Sequence, residues 1–205
     1  MWDERYSGEA FAYGTAPNDF LVAAEPGIRR GGRVLCLGEG EGRNAVWLAT
    51  QGFDVVALDQ SRVGLAKAER LAALRGVSIM TLPFDLADYP WTGAPCGAWE
   101  AGPWDAIVSI WCHLPAQLRA RTHRLAAETL QPGGVFILEA YTLAQIGHAT
   151  GGPRDPALCM TLAALRDDLA GLDFEVAEER TRDVQEGSLH HGLSAVVQVV
   201  ARKPA

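Results

Sequence analysis

A short apolar segment followed at once by three alternating glycines constrains this chain more than any other feature. The segment Arg33–Leu37 has the composition of a strand, Gly38, Gly40 and Gly42 form a turn, and residues 43–50 are compatible with a helix. A strand, a glycine turn and a helix in succession form a ligand crevice at the carboxyl ends of the strands in a doubly wound sheet. Glycines are needed there because the backbone takes positive φ and a ligand must approach it closely.

The spacing of these glycines favours a cationic ligand over a dinucleotide. A dinucleotide site has the pattern Gly-x-Gly-x-x-Gly, whose helix N-terminus receives a pyrophosphate, but here Arg43 occupies the place of the third glycine. Glu39 and Glu41 lie inside the turn, where they would repel a pyrophosphate. S-adenosylmethionine, with its sulfonium and amino groups, suits such a turn. The sequence therefore predicts this methyl donor as the cofactor, with a nicotinamide dinucleotide and a purely structural turn as the alternatives.

Polar residues at the ends of the next strands extend the predicted cofactor site. Asp59 ends the second predicted strand about 20 residues after the first glycines, where a carboxylate can accept both hydroxyls of a ribose. Asp85 follows the third strand and can accept from an adenine amino group while Phe84 and Leu86 flank the ring. A helix cap and a solvated loop are the alternatives for the two aspartates. The predicted cofactor-binding residues are Gly38, Glu39, Gly40, Gly42, Arg43, Asn44, Asp59, Gln60, Phe84, Asp85, Leu86 and Ile110.

Three histidines are the predicted catalytic residues. His113 follows the fourth predicted strand, and His190 and His191 link the last two. Imidazole can gain or lose a proton near neutral pH, so these side chains could contact a substrate or remove its proton. A helix cap or core position is the alternative for His113, and a solvent-exposed turn is the alternative for the histidine pair.

Three further residues are predicted to contact the substrate. Tyr13 belongs to an aromatic-rich N-terminal segment, and Glu139 and Tyr141 leave the fifth predicted strand on the same side as the other candidates. Glu139 has a structural alternative, as the partner of an arginine such as Arg154 or Arg119.

Strand and helix patterns alternate along the chain and predict an α/β fold. The predicted strands are 33–37, 54–58, 77–81, 104–111, 134–140, 175–181 and 194–201, and the main predicted helices are 61–75, 115–130 and 158–169. The last two strands alternate as an antiparallel pair. We expect one domain over residues 1–205, with an N-terminal flap at 1–30 and the sheet at 31–205. A helix packed on the sheet edge is the alternative for the flap.

Composition and charge exclude several function classes. Hydrophobic residues make up 48% of the 205 residues and charged residues 21%, as in one soluble domain. The net charge of −7 argues against binding to nucleic-acid phosphates, which requires clustered lysines and arginines. No apolar run reaches the ~18 residues of a membrane span. We expect a cytoplasmic protein, a monomer or weak homodimer, that acts on a small molecule.

Cysteine usage points to reduced thiols. Cys36, Cys96, Cys112 and Cys159 are far apart and form no Cys-x-x-Cys pair. Neither a disulfide framework nor a zinc site is therefore expected, and no metal is predicted.

These motifs together resemble the class I S-adenosylmethionine-dependent methyltransferases, and among them the tellurite-resistance (TehB-like) and thiopurine-type small-molecule enzymes. The resemblance rests on residues 2–6, 13–18, 37–44, 56–59, 113–115, 130–134 and 186–190. It implies a doubly wound, Rossmann-like sheet of seven strands, mostly parallel, with an antiparallel last strand. Methyl transfer to a small soft nucleophile is the implied activity, with a tellurium or selenium oxyanion, a thiol or a thiopurine as acceptor. A protein or other large acceptor and a non-catalytic binding module are the alternatives.

The resemblance also assigns parts of the methyl donor to the turn and strand ends, and it reveals two departures. It places the methionine part on the glycine turn with Glu39, the ribose on Asp59 and the adenine on Asp85. Relatives have a His-Arg pair where this chain has His190-His191, so a fixed positive charge is missing. Relatives also have an aspartate where this chain has Cys36, so a carboxylate that braces the turn is missing from the strand.

Overall fold

Seven strands form a single mixed sheet in the computed structural model, which describes residues 1–91 and 102–205. The strands are β1 (Arg33–Leu37), β2 (Asp54–Asp59), β3 (Met80–Pro83), β4 (Trp104–Ile110), β5 (Leu130–Tyr141), β6 (Asp173–Glu186) and β7 (His190–Arg202). They are arranged in the order β3-β2-β1-β4-β5-β7-β6. The pairs from β3 to β5 are parallel, and β7 is antiparallel to both of its neighbours. The predicted fold class, including the antiparallel last strand, is confirmed.

Helices cover both faces of this sheet. They are α1 (Trp2–Tyr6), α2 (Asp19–Ala24), α3 (Arg43–Thr50), α4 (Arg62–Leu74), α5 (Ala116–Thr129) and α6 (Leu162–Asp168). Short 3₁₀ helices occur at Glu25–Gly27, Leu143–Gly147 and Pro156–Leu158. None of the helices within the described residues is long and apolar enough to cross a membrane.

The central strands are mostly apolar because both of their faces are buried. Successive side chains of a strand point to opposite faces, so Leu35 and Leu37 of β1 join one core cluster while Val34 and Cys36 join the other. The first cluster includes residues of α5 and α6, and the second includes residues of α2 and α3. Continuous apolar strands of this kind are typical of parallel sheets between two helical layers.

The order of the strands reverses between β1 and β4, and this reversal creates a crevice. From β1 the chain proceeds outward to β2 and β3, whereas from β4 it proceeds to β5 on the other side. The connections that leave β1 and β4 therefore diverge at the carboxyl ends of the strands. Ligands of doubly wound proteins bind at such a point.

Several element boundaries differ from those predicted. Strand β3 begins at Met80 rather than at residue 77, because Val77 and Ile79 pack beneath the helices instead of pairing with a strand. Helix α6 begins only at Leu162, where the Thr161 side chain accepts a hydrogen bond from the Ala164 N–H and caps the helix. The final hairpin is longer than predicted at both ends.

The N-terminal segment lies over the glycine turn and is fastened there by one buried lysine. Lys67 Nζ on α4 donates hydrogen bonds to the carbonyls of Gly8 (2.9 Å) and Ala10 (2.7 Å) and forms an ion pair with Glu41. The other carboxylate oxygen of Glu41 accepts from the Ala12 N–H at 2.7 Å. The segment therefore packs against α4 and also borders the crevice, and its action as a flap stays a prediction.

The cysteines that the structure places are unpaired. Cys36, Cys112 and Cys159 are buried free thiols, and Cys96 lies outside the described residues, as does most of the Pro-, Gly- and Trp-rich segment 87–103. Within the described ranges no group of three or more histidine, cysteine, aspartate or glutamate side chains could hold a metal ion.

Candidate functional site

A cavity of about 1410 Å³ opens at the carboxyl ends of the parallel strands. It is bordered by the glycine turn, by the ends of β2 and β4, by α1, by the start of β7 and by residues 145–154. Pockets for one small ligand measure ~300–1,000 Å³. The cavity therefore has room for two ligands side by side.

Ten of the twelve predicted cofactor-binding residues line this cavity. They are Gly38, Glu39, Arg43, Asn44, Asp59, Gln60, Phe84, Asp85, Leu86 and Ile110. They meet because the carboxyl ends of neighbouring parallel strands lie along the same edge of the sheet.

Gly40 and Gly42 do not line the cavity, contrary to expectation. A Cβ on Gly40 would lie 2.5 Å from the Tyr6 hydroxyl, so this glycine admits the N-terminal segment rather than a ligand. A Cβ on Gly42 would lie 2.4 Å from the Ala68 Cβ on α4. Both residues also have positive φ, at 61° and 87°. Their glycine identity is therefore explained by packing and backbone conformation.

The carboxylate of Glu39 braces the glycine turn, a role that the resemblance gives to an aspartate at position 36, where this chain has a cysteine. Glu39 Oε1 accepts hydrogen bonds from the backbone N–H groups of Asn44 (2.9 Å) and Ala45 (2.8 Å), and it thereby caps α3, whose N-cap residue is a glycine. Burial raises the pKa of Glu39 to about 7. The turn is thus braced from within, and a cationic ligand would favour the ionised form of this carboxyl.

Asp59 joins the glycine turn to the end of β2 while it faces the cavity. Its Oδ2 accepts from the Gly40 N–H at 2.9 Å and its Oδ1 accepts from the Ser61 N–H at 2.7 Å. Burial raises the pKa of Asp59, and these two N–H groups oppose that change. Each carboxylate oxygen has a second lone pair, so Asp59 can still accept from ligand hydroxyls.

The residues of this half of the cavity fit S-adenosylmethionine. Three carboxylates, Glu39, Asp59 and Asp85, converge on the cavity, and the apolar side chains of Phe84 and Leu86 lie beside the last of them. Carboxylates suit the amino group, the ribose hydroxyls and the adenine amino group, and the apolar pair suits an aromatic base.

The other half of the cavity has an aromatic wall, formed by Tyr13, Trp111 and His190. The ring centroids of Tyr13 and His190 are 4.6 Å apart, and those of Trp111 and His190 are 5.3 Å apart in an edge-on arrangement. Tyr141 stacks behind Trp111 at 4.3 Å. Trp111 has a φ of 57°, an uncommon backbone conformation for a bulky residue. Its indole is therefore held in place by contacts on several sides.

Glu186 is the centre of a buried polar network below this wall. It accepts hydrogen bonds from Arg43 Nη2 (2.6 Å), Trp111 Nε1 (2.5 Å) and Asn18 Nδ2 (2.7 Å). Burial by itself would raise the pKa of Glu186, but His190 and the Arg43 guanidinium hold it at about 2. Because Arg43 is paired in this way, its charge is neutralised where it borders the cavity.

The three predicted catalytic histidines have different surroundings. His113 lines the cavity, but its Nδ1 donates to the Leu158 carbonyl (2.9 Å) and its Nε2 lies 3.4 Å from the Tyr141 N–H. Burial lowers the pKa of His113 to about 4. His191 is exposed outside the cavity, because successive residues of β7 point to opposite faces.

His190 is the buried member of the pair and faces the cavity. Its Nδ1 lies 3.8 Å from Glu186 Oε2 and has no hydrogen-bond partner among the described residues. Burial lowers the pKa of His190 and thus favours the neutral imidazole, while the Glu186 carboxylate opposes this change.

Of the three predicted substrate contacts, only Tyr13 reaches the cavity. Glu139 is fully buried, and its partner is Arg182 (2.7 Å from Nη2 to Oε2) rather than Arg154 or Arg119. Tyr141 is also fully buried, behind Trp111. Both side chains are therefore part of the buried structure behind the cavity wall rather than of its surface.

The predicted site residues do not include Trp111, Glu186 or the wall at residues 145–154. Trp111 lies only two residues before His113, and its position after β4 was the signal that could have found it. The Gly151-Gly152-Pro153 run marks a turn but does not indicate what it borders. No short sequence motif connects Glu186 with Arg43, because the two residues are 143 positions apart.

The chain is similar to known proteins over most of its length. Residues 34–134 match a family described as a methyltransferase domain. The 2-heptyl-1-hydroxyquinolin-4(1H)-one methyltransferase of Mycobacteroides abscessus is 27% identical over 165 residues, which are 75% of this chain and 69% of that protein.

Two solved structures share the fold at low sequence identity. A protein studied in the conversion of a disulfide bond into a thioacetal group during echinomycin biosynthesis superposes with a TM-score of 0.75, at 20% identity over 98% of this chain and 88% of its own. TehB from Haemophilus influenzae superposes with a TM-score of 0.69, at 18% identity over 98% of this chain and 65% of its own.

Proposed function

We propose that this chain, an S-adenosylmethionine-dependent methyltransferase, methylates a soft nucleophilic atom, such as a thiol or thiopurine sulfur, on a small planar aromatic molecule. The aromatic wall of Tyr13, Trp111 and His190 is the observation that carries this proposal. Aromatic rings pack favourably against one another in offset or edge-on geometry, with centroids 4.5–7 Å apart. The Mycobacteroides relative is named for a quinolinone, which is also a planar ring.

Beside the aromatic wall the paired charge of Arg43 disfavours a tellurium or selenium oxyanion as the preferred acceptor, although Arg5 and Arg154 also border the cavity. An oxyanion needs a cation with free donors, but Arg43 forms an ion pair with Glu186 at 2.6 Å. Burial lowers the pKa of His190, which disfavours its cationic form. A neutral aromatic thiol has no such requirement.

When bound, S-adenosylmethionine supplies an electrophilic methyl group: the acceptor sulfur bonds to this carbon as the sulfonium carbon–sulfur bond breaks and its electron pair returns to sulfur. In this proposal Glu39 holds the amino group, Asp59 the ribose and Asp85 the adenine. The protein's main contribution is to align the two reactants and exclude water, which can lower the barrier by ~7–11 kcal/mol.

His190 is the group proposed to remove a thiol proton. It faces the cavity, burial lowers its pKa and so favours the neutral form that can accept a proton, and the Glu186 carboxylate 3.8 Å from its Nδ1 would stabilise the imidazolium that forms. Neither of the other histidines is as well suited. Both nitrogens of His113 lie against backbone groups, and His191 is outside the cavity.

The first test is release of S-adenosylhomocysteine from S-adenosylmethionine with aromatic thiols, thiopurines, an aliphatic thiol, tellurite and selenite. We expect the aromatic acceptors to have the highest kcat/KM. Donor binding without turnover of any aromatic thiol or thiopurine would contradict the proposal and favour a protein acceptor or a non-catalytic binding module.

The adjacent histidines provide a matched pair of variants. His190→Asn should lower kcat about 10²- to 10⁴-fold, the usual contribution of a general base, whereas His191→Asn should have little effect. The loss in His190→Asn should be greatest for a thiol of high pKa and least for one already ionised at pH 7. An equal loss for both thiols would mean that His190 only positions the acceptor.

A further inference from the structure

Exposed apolar side chains are concentrated beside the cavity. Four of the eight large apolar side chains that are exposed in residues 1–91 and 102–205 lie on two segments: Leu143, Ile146, Leu189 and Leu193. The two segments are joined, since the Ala195 N–H donates to Gln145 Oε1 at 2.8 Å and the Thr150 hydroxyl donates to the Leu193 carbonyl at 2.8 Å. A concentration of exposed apolar surface is typical of a binding site.

Two of these side chains belong to the cavity itself. Ile146 and Leu189 line the cavity although they are 44% and 41% exposed, so they lie at its mouth. Further in, Leu114, Leu118 and Leu158 continue the lining. The acceptor half of the cavity thus combines an aromatic wall with aliphatic side chains that extend to solvent.

The size of the cavity agrees with an occupant that reaches its mouth. The volume of about 1410 Å³ leaves room for an acceptor beside the methyl donor. Without a ligand, Ile146 and Leu189 are exposed to water at the mouth. A ring with an apolar substituent would cover them.

We propose that the acceptor carries an apolar substituent, such as an alkyl chain, which lies against Ile146 and Leu189 at the cavity mouth; this inference rests on the proposed function. It defines the substrate class as an amphipathic aromatic molecule. Removal of a methylene from water contributes ~0.8 kcal/mol when burial is complete, which is about fourfold in an equilibrium. At a partly open mouth we expect kcat/KM to rise about twofold to fourfold with each added methylene.

The test is a series of thiophenols with para substituents from methyl to hexyl, assayed for S-adenosylhomocysteine release. The wild-type protein should show the rise in kcat/KM with chain length, expressed mainly in KM. Ile146→Ser and Leu189→Ser should each flatten this dependence. Leu74→Ser is the matched control, because Leu74 is 74% exposed on α4 and does not line the cavity; its dependence should equal that of the wild type.

Each outcome separates this inference from the function on which it rests. Turnover of unsubstituted thiophenol with no dependence on chain length would overturn the inference and leave the proposed function intact. A dependence that persists in both serine variants would overturn the placement of the substituent at Ile146 and Leu189. Absence of turnover with every thiophenol, while the donor binds, would overturn the proposed function itself and the inference with it.

Discussion

Replacement of Glu186 by glutamine is expected to lower stability by several kcal/mol. Glu186 is 6% exposed and accepts hydrogen bonds from Arg43, Trp111 and Asn18. A glutamine has one acceptor oxygen, and its amide NH₂ would face one of these donors. The Arg43 guanidinium, itself 6% exposed, would lose its counterion.

Two independent arguments give a similar magnitude for the loss in free energy of unfolding. One pKa unit corresponds to ~1.36 kcal/mol, so a carboxyl whose pKa falls from 4.5 to about 2 on folding contributes about 3 kcal/mol at neutral pH. Removal of one partner from a buried ion pair costs ~3–5 kcal/mol. Because the pKa of Glu186 is depressed in the folded state, its contribution is complete above pH 4.5 and is lost as the pH falls towards 2.

Urea unfolding followed by far-ultraviolet circular dichroism measures this effect. At pH 7 we expect Glu186→Gln to lower the free energy of unfolding by about 3 kcal/mol with an unchanged denaturant slope, and the difference should narrow below pH 4.5. Glu178→Gln is the control on the same strand, since its pair with Arg180 is about half exposed and such pairs contribute less than ~1 kcal/mol. A loss for Glu186→Gln that equals that of the control would refute the reasoning.

Two further predictions concern the donor site and the N-terminal segment. Asp59→Asn should weaken S-adenosylmethionine binding about 10- to 100-fold, as expected for loss of ~1.5–3 kcal/mol from hydrogen bonds to a charged group. Binding is measured by calorimetry, with Asp54→Asn at the opposite end of β2 as the control variant. Equal affinities of the two variants for the donor would contradict the assignment of Asp59 to the donor site. Lys67→Met removes the donor to the carbonyls of Gly8 and Ala10 and the partner of Glu41, so limited proteolysis should cut the N-terminal segment faster, by a larger factor than it cuts the sheet. An unchanged cleavage rate would mean that Lys67 does not fasten the segment.

The parts of the site that could be predicted from sequence depend on local patterns and on one general property of parallel sheets. The strand, glycine turn and helix at residues 33–50 are contiguous, so their order alone locates the crevice. Asp59, Asp85 and Ile110 follow different strands, but the carboxyl ends of parallel strands lie on one edge. We could therefore predict that these three residues lie close together without knowing the pairing register of the strands.

The parts that could not be predicted depend on contacts between distant residues or on the register of a single residue. Glu186 and Arg43 are 143 positions apart, and no periodicity connects them. His190 and His191 differ only in which face of β7 they occupy, which is settled by where the strand pairs with β6. The apolar residues Val77 and Ile79 have a strand composition but pack against helices, so β3 was placed too early.

The way in which the N-terminal segment is fastened has a consequence for cofactor exchange. Residues 1–13 contact the core through side-chain hydrogen bonds, the buried lysine and the packed rings of Tyr6 and Phe11, and no strand of the sheet is formed by residues 1–32. Segments with few backbone hydrogen bonds to the core open at lower free energy than the sheet they cover. Trp2 and Tyr6 line the cavity, so opening of the segment would remove part of its wall, and we expect apparent donor affinity to scale with the fraction of molecules in which the segment is closed.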